Sequence, residues 1–139
     1  MRIRPFRPED TDAVVALWTA AGLTRPWNDP RKDIVRKASV QPELFVVAED
    51  GSGNLVGSVM AGYDGHRGWL NYLAASPGAR GLGVGRALVE HAEQVLHGLG
   101  CPKVSLQVRA GNQDAVDFYR HLGYTIDDTV DLGKRLIAD

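Results

Sequence analysis

The chain has 139 residues and a formal net charge of -1, from 16 basic and 17 acidic side chains. That length fits one domain, residues 1–139, able to bury a core without disulfides or a structural metal. The charge balance excludes a general affinity for nucleic acid or an anionic membrane, both of which need a basic excess. One cysteine, Cys101, excludes a disulfide framework and a cysteine-rich zinc site and fits a reducing compartment. The polar start MRIRPFRPED is no signal peptide, and no apolar run reaches the ~20 residues of a membrane span. A cytoplasmic protein is expected.

Residues 2–7 alternate weakly and predict a first strand. Asp10 reads as the N-cap of a helix with Val14, Leu17, Trp18 and Ala21 on one side, stopped by Gly22. Arg25–Asn28 is a loop. Asp29-Pro30 opens a second short helix, a capping carboxylate followed by proline at the first helical position. Leu44–Glu49 and Leu55–Tyr63 read as a hairpin around the turn Asp50–Asn54. Asp64–Gly68 is a polar loop and Trp69–Ala75 a fourth strand. After the glycine-rich stretch Ser76–Gly85, Val84–Leu99 is an amphipathic helix with Leu88, Ala92, Val95, Leu96 and Leu99 as its stripe. Val104–Val108 is a fifth strand. A helix starts at Asn112 or Asp114 and runs to Leu122, with Gly123 as its stop. Tyr124–Ile126 and Val130–Ile137 predict two last strands.

The order is therefore β-α-α-β-β-β-α-β-α-β-β. It describes an α/β protein of the α+β mixed-sheet kind, with an antiparallel front half, a βαβ unit and helices on both faces. Val14, Leu17, Leu88, Val95 and Leu99 are expected in the core, as are Trp18 and Trp69.

The stretch Ser76-Pro77-Gly78-Ala79-Arg80-Gly81-Leu82-Gly83-Val84-Gly85-Arg86 joins a strand to a helix. A helix start has unpaired N–H groups and a partial positive charge, and glycine lets backbone approach a ligand closely. The combination suits a phosphate or pyrophosphate, with Arg80 and Arg86 adding charge. No lysine follows Gly85, which excludes a P-loop. Leu88 and Arg86 stand where the third glycine of a dinucleotide fingerprint would fall. What does fit is R-x-x-G-x-G, as Arg80, Gly83 and Gly85. It is followed by N-x-x-A-x-x-F-Y-x-x-x-G-Y, from Asn112 through Phe118, Tyr119 and Gly123 to Tyr124.

These two signatures, in this order and spacing, resemble the GNAT superfamily of acyl-CoA-dependent N-acetyltransferases. The likeness covers nearly the whole chain. Segments 25–30, 62–68 and 132–137 further resemble one bacterial branch of it. The resemblance implies that strands four and five splay and admit the pantetheine arm of acetyl-CoA as co-substrate. Backbone groups at Leu73 and Ala75 would pair with that arm, one N–H polarising the thioester carbonyl. Gly81, Gly83, Val84, Gly85 and Arg86 would hold the pyrophosphate, and Asn112 and Phe118 would lie at the cofactor. Tyr119 would be the general acid: a phenol with a pKa of about 10 keeps its proton at neutral pH and can donate it to a departing thiolate. Trp27 and Asn28, in the loop between the first helices, would wall the acceptor pocket with Asn71.

A glutamate common in the family just before Leu73 is replaced here by Asn71 and Tyr72. The proton of an incoming ammonium then has Asp64, His66, Glu43 or a water held by Asn71 as candidate acceptors. Imidazole, with an unperturbed pKa of about 6.5, is the best tuned. Arg25 and Arg67 read as surface side chains that could also fork a substrate carboxylate. His91, His97 and His121 lack metal-ligand spacing, and no metal is expected. The partners expected are acetyl-CoA and an amine acceptor: a small amine, an amino acid, a peptide N-terminus or a protein lysine. A homodimer is compatible with the family. The same loop would serve a non-catalytic acyl-CoA sensor, against which the retained Tyr119 argues.

Overall fold

The computed structural model describes residues 1–139. Five strands form one sheet in chain order: β1 (Arg2–Pro5), β2 (Phe45–Glu49), β3 (Leu55–Tyr63), β4 (Gly68–Ala75) and β5 (Val104–Leu106). The first four are antiparallel neighbours and β5 runs parallel to β4. Helices α1 (Thr11–Ala20) and α2 (Pro30–Lys37) precede the β2–β3 hairpin; α3 (Val84–Gly98) and α4 (Gln113–His121) flank β5 in sequence. No helix is long and apolar enough to cross a membrane.

Strand period sorts the core into two halves. In β2, Phe45 and Val47 face Val14, Leu17 and Trp18 of α1 and Ile34 of α2; Val46 and Ala48 face Leu88, Val89, Ala92 and Leu96 of α3. A strand buried on both faces reads as a continuous apolar run. The α3 helix rests against β3 at Gly57, where a Cβ would lie 2.6 Å from Val84 and 2.7 Å from Leu88. Any side chain there would have to displace those of Val84 and Leu88.

Two features of β4 shape the site. Met60 pairs with Asn71 and Ser58 with Ala74, so one residue of β3 opposes two of β4, a bulge at Tyr72 and Leu73. Tyr72 takes φ +52, a left-handed conformation rare for tyrosine. The bulge is fastened by a buried chain: Trp18 Nε1 donates to Ser58 Oγ at 2.8 Å, and Ser58 Oγ donates to the Tyr72 carbonyl at 3.0 Å. It also resets the faces. Leu70 joins the α3 side, Tyr72 and Ala74 the α1 side, and Leu73 and Ala75 the α3 side again. The second feature is that β4 and β5 pair only from Gly68–Val104 to Leu70–Leu106. Beyond Leu70 the two strands part, which is the expected splay.

Several expectations are corrected. Proline at 5 and 8 ends β1 at Pro5 rather than Arg7. Asp10 does not cap α1. Its carboxylate is buried against Arg4, which donates at 2.8 and 2.9 Å, and accepts from Arg7 N–H; Arg4 also pairs with Glu49. A cation six residues back outcompetes the helix end. Trp69, on the interior strand β4, is exposed, its Nε1 donating to Asp64, and Leu99 is exposed at the end of α3. Strand β5 stops at Leu106, short of Val108.

The two last strands do not form: residues 124–139 contain no strand. After α4, Tyr124 N–H returns to the Tyr119 carbonyl, and the chain then runs beside β5 held by side chains. Lys103 pairs with Asp127 at 2.9 Å and Gln107 donates to Asp131 at 2.7 Å. Asp127 and Asp131 thus hold the residues on either side of β5 through side chains, and no strand pairs with its free edge. Val130, Leu132, Leu136 and Ile137, read as strand alternation, stay exposed. Cys101 follows α3 and is buried, its thiol donating to the Lys103 carbonyl at 3.3 Å.

Candidate active site

The end of β4 leads through a short turn at Pro77–Ala79 into the glycine-rich stretch and α3. Gly81 and Gly83 take φ +82 and +75, a turn that side-chain-bearing residues resist. The N–H groups of Gly81, Gly83, Val84, Gly85 and Arg86 donate to no acceptor within the chain; the first helical hydrogen bond here is Ala87 N–H to the Gly83 carbonyl. Five unpaired donors at the start of a 15-residue helix make an anion cradle, and they fit a pyrophosphate. Arg80 is exposed beside it. Arg86 turns along α3 to pair with Glu90 at 2.8 Å.

The α4 helix packs over the start of α3. The Phe118 ring sits 3.2 Å from where a Gly85 Cβ would be, so a side chain at 85 would press on that ring. Asn112 accepts from Ala115 N–H at 3.2 Å and caps α4, while Asp29 caps α2 through Arg31 and Lys32 N–H. Tyr119 lies edge-on to Phe118 and Tyr124, with ring centroids 5.1 and 5.5 Å away. Its hydroxyl has no hydrogen-bond partner in the chain, and burial pushes its pKa up to about 12. The group therefore holds its proton across the neutral range. Leu73 and Ala75 lie on the same sheet face as α3, beyond the point where β4 and β5 part.

Trp27, Asn28 and Tyr72 meet on the α1–α2 face. Trp27 is exposed, and the Arg109 guanidinium lies 5.8 Å from its ring centroid, so the α1–α2 loop contacts the segment after β5. Asn28 Nδ2 donates to Asp33 at 2.5 Å and to the Tyr72 hydroxyl at 3.1 Å. Tyr72 stacks on Trp18 at 3.8 Å and donates its hydroxyl to Asp33. Burial and the Asp33 carboxylate both raise the Tyr72 pKa. Asn71 is exposed on this face, opposite Met60.

The base candidates fall elsewhere. Asp64 accepts from His66 N–H, Arg67 N–H and Trp69 Nε1, and the backbone donors hold its carboxyl below the usual range. It builds the β3–β4 turn. The His66 ring makes no hydrogen bond in the chain. It lines, with Tyr119, Trp69, Leu106 and Gln107, an open cavity of about 1060 Å³ between β5 and residues 122–131. Glu43 lies near Lys37, whose ammonium is buried against the Ala61 carbonyl at 2.6 Å and has a lowered pKa through desolvation. Arg25 is spent on the Gly22 and Thr24 carbonyls and Arg67 on that of His66. No three His, Cys, Asp or Glu side chains are placed to share a metal ion.

Sequence reasoning passed over Asp33, Arg36, Arg109 and Arg135, which the fold gathers around Asn28 and Trp27. Asp33 and Arg36, three apart on α2, pair at 3.0 Å; that spacing was the one available local signal.

Comparison with known proteins agrees with this geometry. Residues 11–124 match the model of the Acetyltransferase (GNAT) family. An acetyltransferase of Pectobacterium atrosepticum is 50% identical over 139 residues, covering 100% of this chain and 98% of the relative. Among solved structures, Chaetomium thermophilum Naa20 in complex with a bisubstrate analogue superimposes with a TM-score of 0.72 at 28% identity, over 91% of this chain and 72% of that one. The ribosomal-protein-S18-alanine N-acetyltransferase of Escherichia coli does so at 0.72 and 26% identity, over 88% and 76%. The chain belongs to the GNAT family of acetyltransferases.

Proposed function

We propose that the chain moves an acetyl group from acetyl-CoA to the nitrogen of a primary amine by direct attack, in the cytoplasm. The observation that carries this is the set of unpaired N–H groups of Gly81, Gly83, Val84, Gly85 and Arg86, set where β4 and β5 part. The cradle would hold the pyrophosphate, and the parted strands would take the pantetheine arm at Leu73 and Ala75. Tyr119, protonated and without an internal partner, would give its proton to the leaving thiolate. The names of two structural neighbours, one bound to a bisubstrate analogue and one acting on an alanine of a ribosomal protein, support an amine as acceptor.

Asp64 serves the turn and is set aside as the base. His66 opens on the cavity that Tyr119 also lines and not on the Asn28–Tyr72 wall, so a water held by the exposed Asn71 takes the proton. A primary amine attacks the thioester without a cysteine relay once it is neutral and oriented.

The test is an acceptor panel with acetyl-CoA, read by mass of the N-acetylated product. Formation of that product, lost in Tyr119→Phe, is expected. Tight acetyl-CoA binding with no product from any amine would instead make the chain an acyl-CoA sensor.

A further inference from the structure

One carboxylate, that of Asp139, is surrounded by cations on the α1–α2 face. Arg36 Nη2 donates to Oδ1 at 2.6 Å and Asp29 N–H to Oδ2 at 2.8 Å. Arg135 Nη1 is 4.0 Å from Oδ2, and Lys32 Nζ donates to the Asp139 main-chain oxygen at 3.3 Å. The Asp139 side chain is only 2% exposed, yet it lies over a hundred residues from α2 in sequence.

The seat does not depend on its occupant. Four of the eight residues of α2 are basic. Arg31 is spent on Asp12 at 2.8 Å and Lys37 on the Ala61 carbonyl. Lys32 and Arg36 remain, and Asp33 fixes Arg36 through its other terminal nitrogen at 3.0 Å. The capped first turn supplies the Asp29 N–H. This is a charge-assisted, partly forked carboxylate site.

Its position connects it to the parted strands. Arg36 binds Asp33, Asp33 accepts from the Tyr72 hydroxyl, and Tyr72 is the bulge residue next to Leu73. Asn28 Oδ1 accepts from Arg135 at 3.2 Å on the same wall. The occupant is also held weakly. Leu132, Leu136 and Ile137 of the tail are exposed, so no apolar burial anchors it, and the arginines that hold it are themselves half-exposed and screened by solvent.

We infer that this seat is the carboxylate subsite of the acceptor: the amine acetylated carries its own carboxylate, as an amino acid does, and Asp139 occupies the subsite until displaced. This rests on the reading of the chain as an amine acetyltransferase. Held there, the acceptor would present its amine toward β4 across the Asn28–Tyr72 wall.

Calorimetry on the full chain, using N-acetylglycine and N-acetylalanine against their C-amidated forms, tests the subsite without requiring turnover. In Asp139→Asn the acids are expected to bind at least fivefold tighter than in the unaltered chain, with the amides unchanged. Adding Arg36→Gln should abolish the gain; Lys32→Gln is the second variant if that chain melts early. Equal binding in Asp139→Asn and the unaltered chain, or an equal gain for the amides, would overturn the subsite. In parallel, KM for the free amino acid should fall in Asp139→Asn while KM for its amide stays fixed. Acid-selective binding with no product from any amine would leave the subsite standing and remove the transferase reading. Product from amines with no preference for a carboxylate would do the reverse.

Discussion

The Tyr72 hydroxyl donates to the Asp33 carboxylate at 2.6 Å, joining the bulge of β4 to the middle of α2. The same carboxylate accepts from Asn28, so strand, helix and the α1–α2 loop share one oxygen. Tyr72→Phe keeps the ring stacked on Trp18 and removes the hydroxyl that donates to Asp33 and accepts from Asn28. Losing a hydrogen bond to a charged group costs about 1.5–3 kcal/mol. Steady-state kinetics should show KM for the acceptor rising about tenfold or more while kcat changes little. An unchanged KM would detach this wall from acceptor binding.

Tyr119→Phe should leave the melting temperature nearly fixed, because the hydroxyl has no internal partner to lose. General acid catalysis contributes about 10²–10⁴-fold, so kcat should fall by at least tenfold in a free-thiol assay. Full turnover in a folded variant would assign protonation of the thiolate to solvent.

Gly83→Ala places a methyl group in open space, so its cost is the left-handed backbone alone, about 1–2 kcal/mol. Relief of that strain would rotate the N–H groups of the cradle. Acetyl-CoA affinity should drop about tenfold, the equivalent of ~1.4 kcal/mol, as measured by calorimetry. Gly22→Ala, strained alike at φ +74 but in the α1–α2 loop, should not change that affinity.

Ser58→Ala strips the acceptor from the buried Trp18 indole and the donor from the Tyr72 carbonyl. Each unpaired buried group costs about 1–3 kcal/mol. Chemical denaturation should therefore show a loss of about 2 kcal/mol or more, with reduced acceptor binding as the bulge relaxes.

The Arg4 guanidinium, chiefly through its hydrogen bonds, holds the Asp10 carboxyl below the usual carboxylate range. A depressed folded-state pKa means the anion is favoured by folding. That contribution is complete above the unfolded value of about 4 and is lost as pH falls through the lower folded value. Denaturation midpoints should decline on acidification below pH about 4, and more gently in Asp10→Asn, which is less stable at neutral pH.

What could be read in advance was whatever sequence spacing encodes locally. Gly81, Gly83 and Gly85 announce a cradle because only a strand-to-helix turn needs them together. Asp29-Pro30 and Asn112 announce helix starts because the cap is only two or three residues from its donors. Asp10 has the same local look, yet Arg4 takes its carboxylate, and no local pattern reports that. The bulge at Tyr72 depends on the β3–β4 register, with Ser58 and Trp18 distant in sequence. The tail misleads because alternation at Val130, Leu132 and Leu136 signals a strand only where an edge is free to pair, and there Asp127 and Asp131 bind Lys103 and Gln107, the side chains that flank β5, instead.

The burial of Cys101 has a practical consequence. It is the one cysteine of the chain, it is closed in by α3 and Gly68, and its S–H is engaged with a carbonyl. The folded protein therefore exposes no sulfhydryl of its own to an electrophilic dye. A colorimetric signal from the native chain with acetyl-CoA can be credited to liberated coenzyme, and a slow rise without acetyl-CoA reports unfolding.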